Sequence, residues 1–180
     1  DDLRSVITHI TQLDEYHSIY LHGFSLGGNL LLKYLGEKRD VPNTIKGAVA
    51  ISVPCQLADS LEQLLQFKNA IYAKRFKGNL IQKLKIKQQL FPDHISDTDI
   101  ENIKTLKDFD DIYTSRAHGF KDALDYYTQS SSLQFLKYIK VPTLIINALN
   151  DSFLGKDCYP INTAKNNKNI FLEMPKYGGH

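Results

Sequence analysis

Apolar residues recur along this chain in two rhythms, and the alternation between them sets the expected order of elements. In residues 1–13 (DDLRSVITHITQL), Leu3, Val6, Ile7, Ile10 and Leu13 fall at the spacing of one helix face, with acids at the start where a helix dipole favours them. Residues 17–22 (HSIYLH) are β-branched and aromatic and stop at Gly23, which predicts a strand. From Leu26 to Leu35 the helical rhythm returns with Leu30, Leu31, Leu32, Tyr34 and Leu35, and Gly36 suits the helix end. Residues 45–53 (IKGAVAISV) are apolar almost throughout, as expected of a parallel strand covered on both faces, and Pro54 ends them. The run VPTLIINAL at 141–149 repeats that pattern, and NIFLEM at 169–174 is a weaker copy. Strand, helix, strand, long excursion, strand, strand is an α/β order, a parallel sheet flanked by helices.

The excursion, 56–140, has a different character. It is rich in Lys, Gln, Asp, Leu and Tyr, shows helical periodicity in DSLEQLLQF and SLQFLKYI, and contains no strong strand. It reads as a helical insertion or cap between two core segments, 1–55 and 141–180, and an insertion of this length is usually a lid or binding loop. Between Gln63 and Pro92 lie Lys68, Lys74, Arg75, Lys77, Lys83, Lys85 and Lys87 with no acid, interleaved with Phe76, Leu80, Ile81, Leu84 and Ile86. The plain reading is a solvated cap helix. The functional reading is a lid that touches anionic lipid surfaces through 68–87.

Composition narrows the picture only a little. A chain of 180 residues fits one domain with a substantial core. Its 42% hydrophobic and 23% charged residues and formal charge of +2 are ordinary for a soluble protein and imply no appetite for nucleic acid. Cys55 and Cys158 have neither disulfide-framework nor zinc spacing, so a reducing compartment, the cytoplasm, fits best. No apolar run approaches the ~20 residues that span a bilayer.

The chemistry concentrates at HGFSLGGNLLLKYLG, residues 22–36. G-x-S-x-G places Ser25 on a tight strand-to-helix turn, whose flanking Gly23 and Gly27 are expected to let strand and helix approach closely. The strain aims the hydroxyl out of the sheet's end. The following helix turns its free N–H groups toward the same point, with the backbone N–H of Leu26 as the expected oxyanion donor. Such a nucleophile elbow requires an acid and then a histidine further along. Asp151 follows an apolar strand and so lies at the sheet edge where α/β sites form, and His180 follows the next strand. An unassisted serine is a poor nucleophile, so His180 takes its proton and Asp151 holds the imidazole. No cofactor and no metal is implied. Among other candidates, His22 reads as a packed or hydrogen-bonded strand histidine, His118 as part of the insertion, Asn150 as a turn residue and Cys55 as a buried small side chain.

The stretches GFSLGGNLLLKYLGE, KTLKDFDDIYT, HGFKDALDYYTQSSS, IKVPTLIINALNDSF and the terminal GGH together resemble the YheT-like family of α/β hydrolases, esterases related to eukaryotic phospholipid and acylglycerol hydrolases. The resemblance implies the α/β-hydrolase fold with a helical cap, Ser25 as nucleophile, Asp151 as acid and His180 as base. Where the family shows D-D-P-F, this chain has Asn150, Asp151, Ser152 and Phe153. The resemblance also implies upstream strands and a second oxyanion donor before residue 1. On that basis the 180 residues alone are expected to be poorly soluble and inactive, with HSIYLH as an uncovered sheet edge. The expected activity is cleavage of carboxylic esters, short-chain acyl or lipid, through an acyl-enzyme. Acyl transfer to another acceptor on the same triad, or a non-catalytic binding protein that keeps the fold, are the alternatives; competing alcohols in product analysis separate the first from hydrolysis.

Overall fold

A computed structural model describes residues 2–180. The chain runs through α1 (Asp2–Gln12), β1 (Ile19–Phe24), α2 (Ser25–Gly36), β2 (Ile45–Ile51), then helices α3 (Leu57–Leu64), α4 (Ala70–Leu90), α5 (Asp97–Asn102), α6 (Leu106–Phe109), α7 (Ser115–His118) and α8 (Ala123–Ser130), and returns through β3 (Thr143–Ile146), α9 (Ile161–Asn166) and β4 (Ile170–Glu173). The strands form one parallel sheet in the order β1-β2-β3-β4. All strand C-termini therefore lie along one edge. The core between sheet and helices is built from Leu31, Leu32, Tyr34, Leu35, Ala48, Ala50, Val53, Leu136, Ile139 and Ile145.

The expected elements are present, with boundaries moved by identifiable contacts. The helix expected over 1–13 is α1, whose first expected residue lies outside the described ones; of its apolar stripe Ile7 is buried, while Val6 and Leu13 stay exposed. β1 runs two residues later than expected, because Gly23 and Phe24 still pair with Ala50 and Ile51 and the chain bends only at Ser25. β2 stops at Ile51 rather than 53. Ser52 adopts a left-handed φ of 54°, and both backbone groups of Val53 turn to the side chain of buried Asn147: its N–H donates to Asn147 Oδ1 at 2.7 Å, and its carbonyl accepts from Nδ2 at 3.0 Å. The same clamp, with a third bond to Cys158 O at 2.8 Å, ends the regular pairing of β3.

Residues 132–139 form a single 3-10 turn, Leu136–Tyr138, and not the helix their periodicity suggests. The amide of Ser132 is taken by Asn29 Oδ1 on α2, so the segment packs Leu136 and Ile139 inward as a short turn tied to the elbow helix. His22, expected to be packed or hydrogen-bonded, is exposed on β1 with its ring edge to face against that of Phe24, centroids 4.3 Å apart. His118 lies exposed in the last turn of α7.

Within the 56–140 stretch, the FDD and DYY runs meet. Asp110, in a π-helical turn spanning Asp110–Thr114, accepts hydrogen bonds from the Thr114 hydroxyl and the Tyr127 phenol, both at 2.7 Å. Asp111 accepts from the Ala123 amide at 2.8 Å and so fixes the start of α8. Burial pushes the Asp110 carboxyl above the usual carboxylate range, against the opposing pull of its two donors. Burial and the bonded carboxylate likewise raise the Tyr127 phenol. A carboxyl whose pKa rises on folding holds its proton more tightly in the folded state, so its contribution to stability falls as pH climbs from the ordinary carboxylate range through the raised value. Asp110→Asn is expected to flatten that portion of the melting-temperature profile against pH. An unchanged slope in thermal unfolding would show that Asp110 does not titrate there.

Candidate functional site

Ser25 stands at the junction of β1 and α2 with a φ of 48°, a left-handed conformation that costs a non-glycine residue of order 1 kcal/mol or more. Two glycines make the turn possible. A Cβ on Gly23 would meet Gly27 O at 2.7 Å and Gly28 Cα at 2.9 Å, and a Cβ on Gly28 would meet the Val53 side chain at 2.6 Å. A Cβ on Gly27 meets nothing within 4 Å. The tight approach expected of Gly23 and Gly27 thus falls on Gly23 and Gly28, because Gly28 is the residue that α2 turns toward the sheet. α2 begins without any side-chain cap on its first N–H groups, Leu26 among them, and without an acid in its first turn. Its unpaired amides and positive dipole end face the space beside Ser25 Oγ.

Three side chains from three strand ends are linked there. His180 Nε2 lies 2.8 Å from Ser25 Oγ, and His180 Nδ1 lies 2.8 Å from Asp151 Oδ2. Asp151 is 4% exposed, and its other oxygen accepts the Phe153 amide at 2.9 Å, so both carboxylate oxygens are occupied. With Nδ1–H donated to the carboxylate, Nε2 is left to accept from the serine hydroxyl. The Phe153 ring backs the imidazole with centroids 4.5 Å apart.

The loop that carries Asp151 is anchored on the helices. Ser60 of α3 donates its hydroxyl to Phe153 O at 2.8 Å, and Asn69 donates Nδ2 to Ser152 O at 2.7 Å. The Ser152 hydroxyl returns a bond to Asn69 Oδ1 at 2.8 Å, so the residue that replaces the family's proline is tied down by a side chain instead of a ring. Asn150, read as a turn residue, accepts the Gly179 amide at 3.0 Å and so holds the backbone next to His180. Asn29 on α2 bonds Ser130 O and the Ser132 amide, at 2.9 and 2.8 Å. Sequence reasoning missed Asn29, Asn69, Asn147 and the role of Asn150. The available signal was a polar amide within otherwise apolar stretches, as in NLLLKYL and IINALND. Cys55 and Cys158 are free and buried, and burial pushes both thiols up to about 12, which leaves them inert at neutral pH.

The family model described as serine aminopeptidase, S33, matches residues 1–157. The chain is 32% identical to the phospholipase ABHD3 of Bos taurus over 181 residues, covering 100% of this chain and 44% of that protein. It is 31% identical to YheT of Escherichia coli over 163 residues, covering 88% of this chain and 46% of that one. It therefore spans about half the length of the curated relatives it matches. The lipase A of Candida antarctica superposes with a TM-score of 0.59 at 14% identity over 96% of this chain and 46% of its own, a likeness of fold. With the parallel sheet, the serine turn and these matches together, the chain belongs to the serine aminopeptidase S33 family of α/β hydrolases, among YheT-like relatives.

Proposed function

We propose that this chain carries the catalytic centre of a serine hydrolase that cleaves carboxylic esters, of short-chain acyl or lipid type, through an acyl-enzyme. The observation that carries the reading is the continuous hydrogen-bonded chain from Ser25 through His180 to Asp151, at 2.8 Å for each link, on a strained turn at the start of an uncapped helix. Ser25 Oγ attacks the ester carbonyl as His180 Nε2 takes its proton. The Leu26 N–H donates to the oxyanion, and Asp151 stabilises the imidazolium that forms. The proton on Nε2 then passes to the leaving alkoxide, and a water activated by the same imidazole releases the acid.

Similarity to the phospholipase ABHD3 supports a lipid ester as substrate. The helices of 56–140 serve as a cap, since α3 and the segment around Asn69 already hold the acid loop. Peripheral contact with a membrane surface through 68–87 suits that substrate. No helix among the described residues is long and apolar enough to cross a membrane. Two unbridged thiols support work in a reducing compartment, the cytoplasm. A fluorophosphonate probe tests the reading directly: covalent labelling of Ser25, abolished in Ser25→Ala, is the expected result. A folded full-length protein that takes no label at Ser25 overturns it.

A further inference from the structure

α4 presents two unlike faces. Toward the site, Tyr72 and Phe76, both still partly open to solvent, meet the Phe153 ring edge to face, with centroids 5.1 and 6.0 Å away, and Phe153 in turn lies against His180. Outward, Ile71 is 83% exposed, and Phe67, in the turn leading into the helix, is 96% exposed. No other large apolar side chain among the described residues is as open as these two. Lys74 and Arg75 follow Ile71 at helical spacing and form no ion pair among the described residues, while Lys68 bonds only the neutral amide of Gln63, at 3.3 Å. Further along the helix, Lys77 is bound to the Lys104 carbonyl at 2.8 Å, and Lys87 lies 5.3 Å from the centre of the Tyr113 ring. The most exposed apolar anchors, Phe67 and Ile71, therefore stand with Lys68, Lys74 and Arg75 at the start of the basic stretch, on the side of the Phe153 contact, while a less exposed grouping of Lys83, Lys85, Ile86 and Leu90 lies at its far end.

We propose that the outward face of Phe67, Lys68, Ile71, Lys74 and Arg75 docks the protein on an anionic lipid surface, beside the mouth of the Ser25 site. The assignment narrows the contact suggested over 68–87 and rests on the ester-hydrolase reading only for what docking would serve. Charge complementarity selects the partner: from Gln63 to Pro92 the chain carries cations and no acid. Exposure does the same. Phe67 and Ile71 project into solvent, which suits insertion at the boundary of headgroups and acyl chains. Since Tyr72 and Phe76 sit on the ring that backs His180, a surface held by this face lies one helix away from the reacting serine.

The test is co-sedimentation of the purified full-length protein with phosphatidylcholine vesicles, with and without phosphatidylglycerol, across a salt series. Binding should require the anionic lipid and weaken with salt. Lys68→Gln, Lys74→Gln and Arg75→Gln together should weaken it roughly a hundredfold, from about fivefold for each cation. Phe67→Ser with Ile71→Ser should weaken it by roughly a hundredfold or more, from the lost apolar burial. Both side chains are exposed, so thermal unfolding should match the parent. A second basic surface provides the control: Lys38, Lys137 and Lys140 line a 1190 Å³ groove formed around the opposite, N-terminal ends of the strands. Their replacement by Gln should leave vesicle binding in place. Binding lost in that control but kept in the α4 variants, or no binding at all, or self-association through Phe67 and Ile71 in place of lipid binding, overturns the proposal. Sedimentation requires no turnover. Protein that labels at Ser25 yet ignores vesicles refutes docking alone, while protein that binds vesicles through α4 yet never labels keeps docking and loses hydrolysis.

Discussion

In the full-length protein, Ser25→Ala is expected to lower ester turnover by about 10^4- to 10^6-fold while the fold stays stable. Among the described residues the Oγ has one hydrogen-bond partner, His180 Nε2, which is partly exposed and can turn to water when the hydroxyl is removed. Alanine keeps the Cβ and hence the same strain at a φ of 48°. Ser25→Gly separates strain from chemistry: it should be equally inactive yet unfold at the same or a higher temperature, because glycine adopts the left-handed turn at little cost. Steady-state hydrolysis of a p-nitrophenyl ester together with thermal unfolding of both variants checks this. Substantial activity in either would remove Ser25 as the nucleophile.

Asp151→Asn should reduce turnover by about 10^4-fold, the scale seen when a buried acid can no longer hold its histidine in the required tautomer. The asparagine Nδ2 would face the atom that now donates to the carboxylate, so the imidazole would turn its proton toward Ser25 and lose its capacity as a base. Asn150→Ala is the matched comparison. Among the described residues its side chain tethers the Gly179 amide alone, and loss of one such bond is worth roughly 1 kcal/mol, about a fivefold effect on a correctly placed His180. Turnover numbers for the two variants decide the assignment. If Asn150→Ala were the more damaging, the acid would not be Asp151.

How much of this site could be read from residue order depends on the range of the interactions involved. The hydrophobic rhythm alone implied a parallel α/β sheet, since β2 and β3 are apolar almost throughout, with Lys46 and Thr143 the exceptions. The serine turn was legible because it is local: Gly23, Ser25 and the start of α2 are contiguous, and glycine is demanded there by the close approach of Gly27 and Gly28. Asp151 and His180 were legible as strand-end residues in the order that the elbow chemistry requires. Their convergence with Ser25 followed as an expectation from parallel strand order, while the hydrogen-bond distances and the burial of Asp151 came from the structure.

What only the tertiary structure decided is the work of the amides and the division of α4. Asn29, Asn69 and Asn147 bond backbone groups 83 to 103 positions away, so a polar amide within an apolar stretch can mark such a side chain but not the distant group it holds. In the same way, the basic run from Lys68 to Lys87 is uniform as sequence. Packing of Tyr72 and Phe76 on Phe153 turns Phe67 and Ile71 outward, while Leu84 is buried against Ile95, Ile100, Ile103 and Phe109 further along. Local order determined which segments become helix and strand and which hydroxyl is strained into reach. Burial, which depends on what the rest of the chain places alongside, decided which polar groups hold the site together and which apolar groups remain open to a surface.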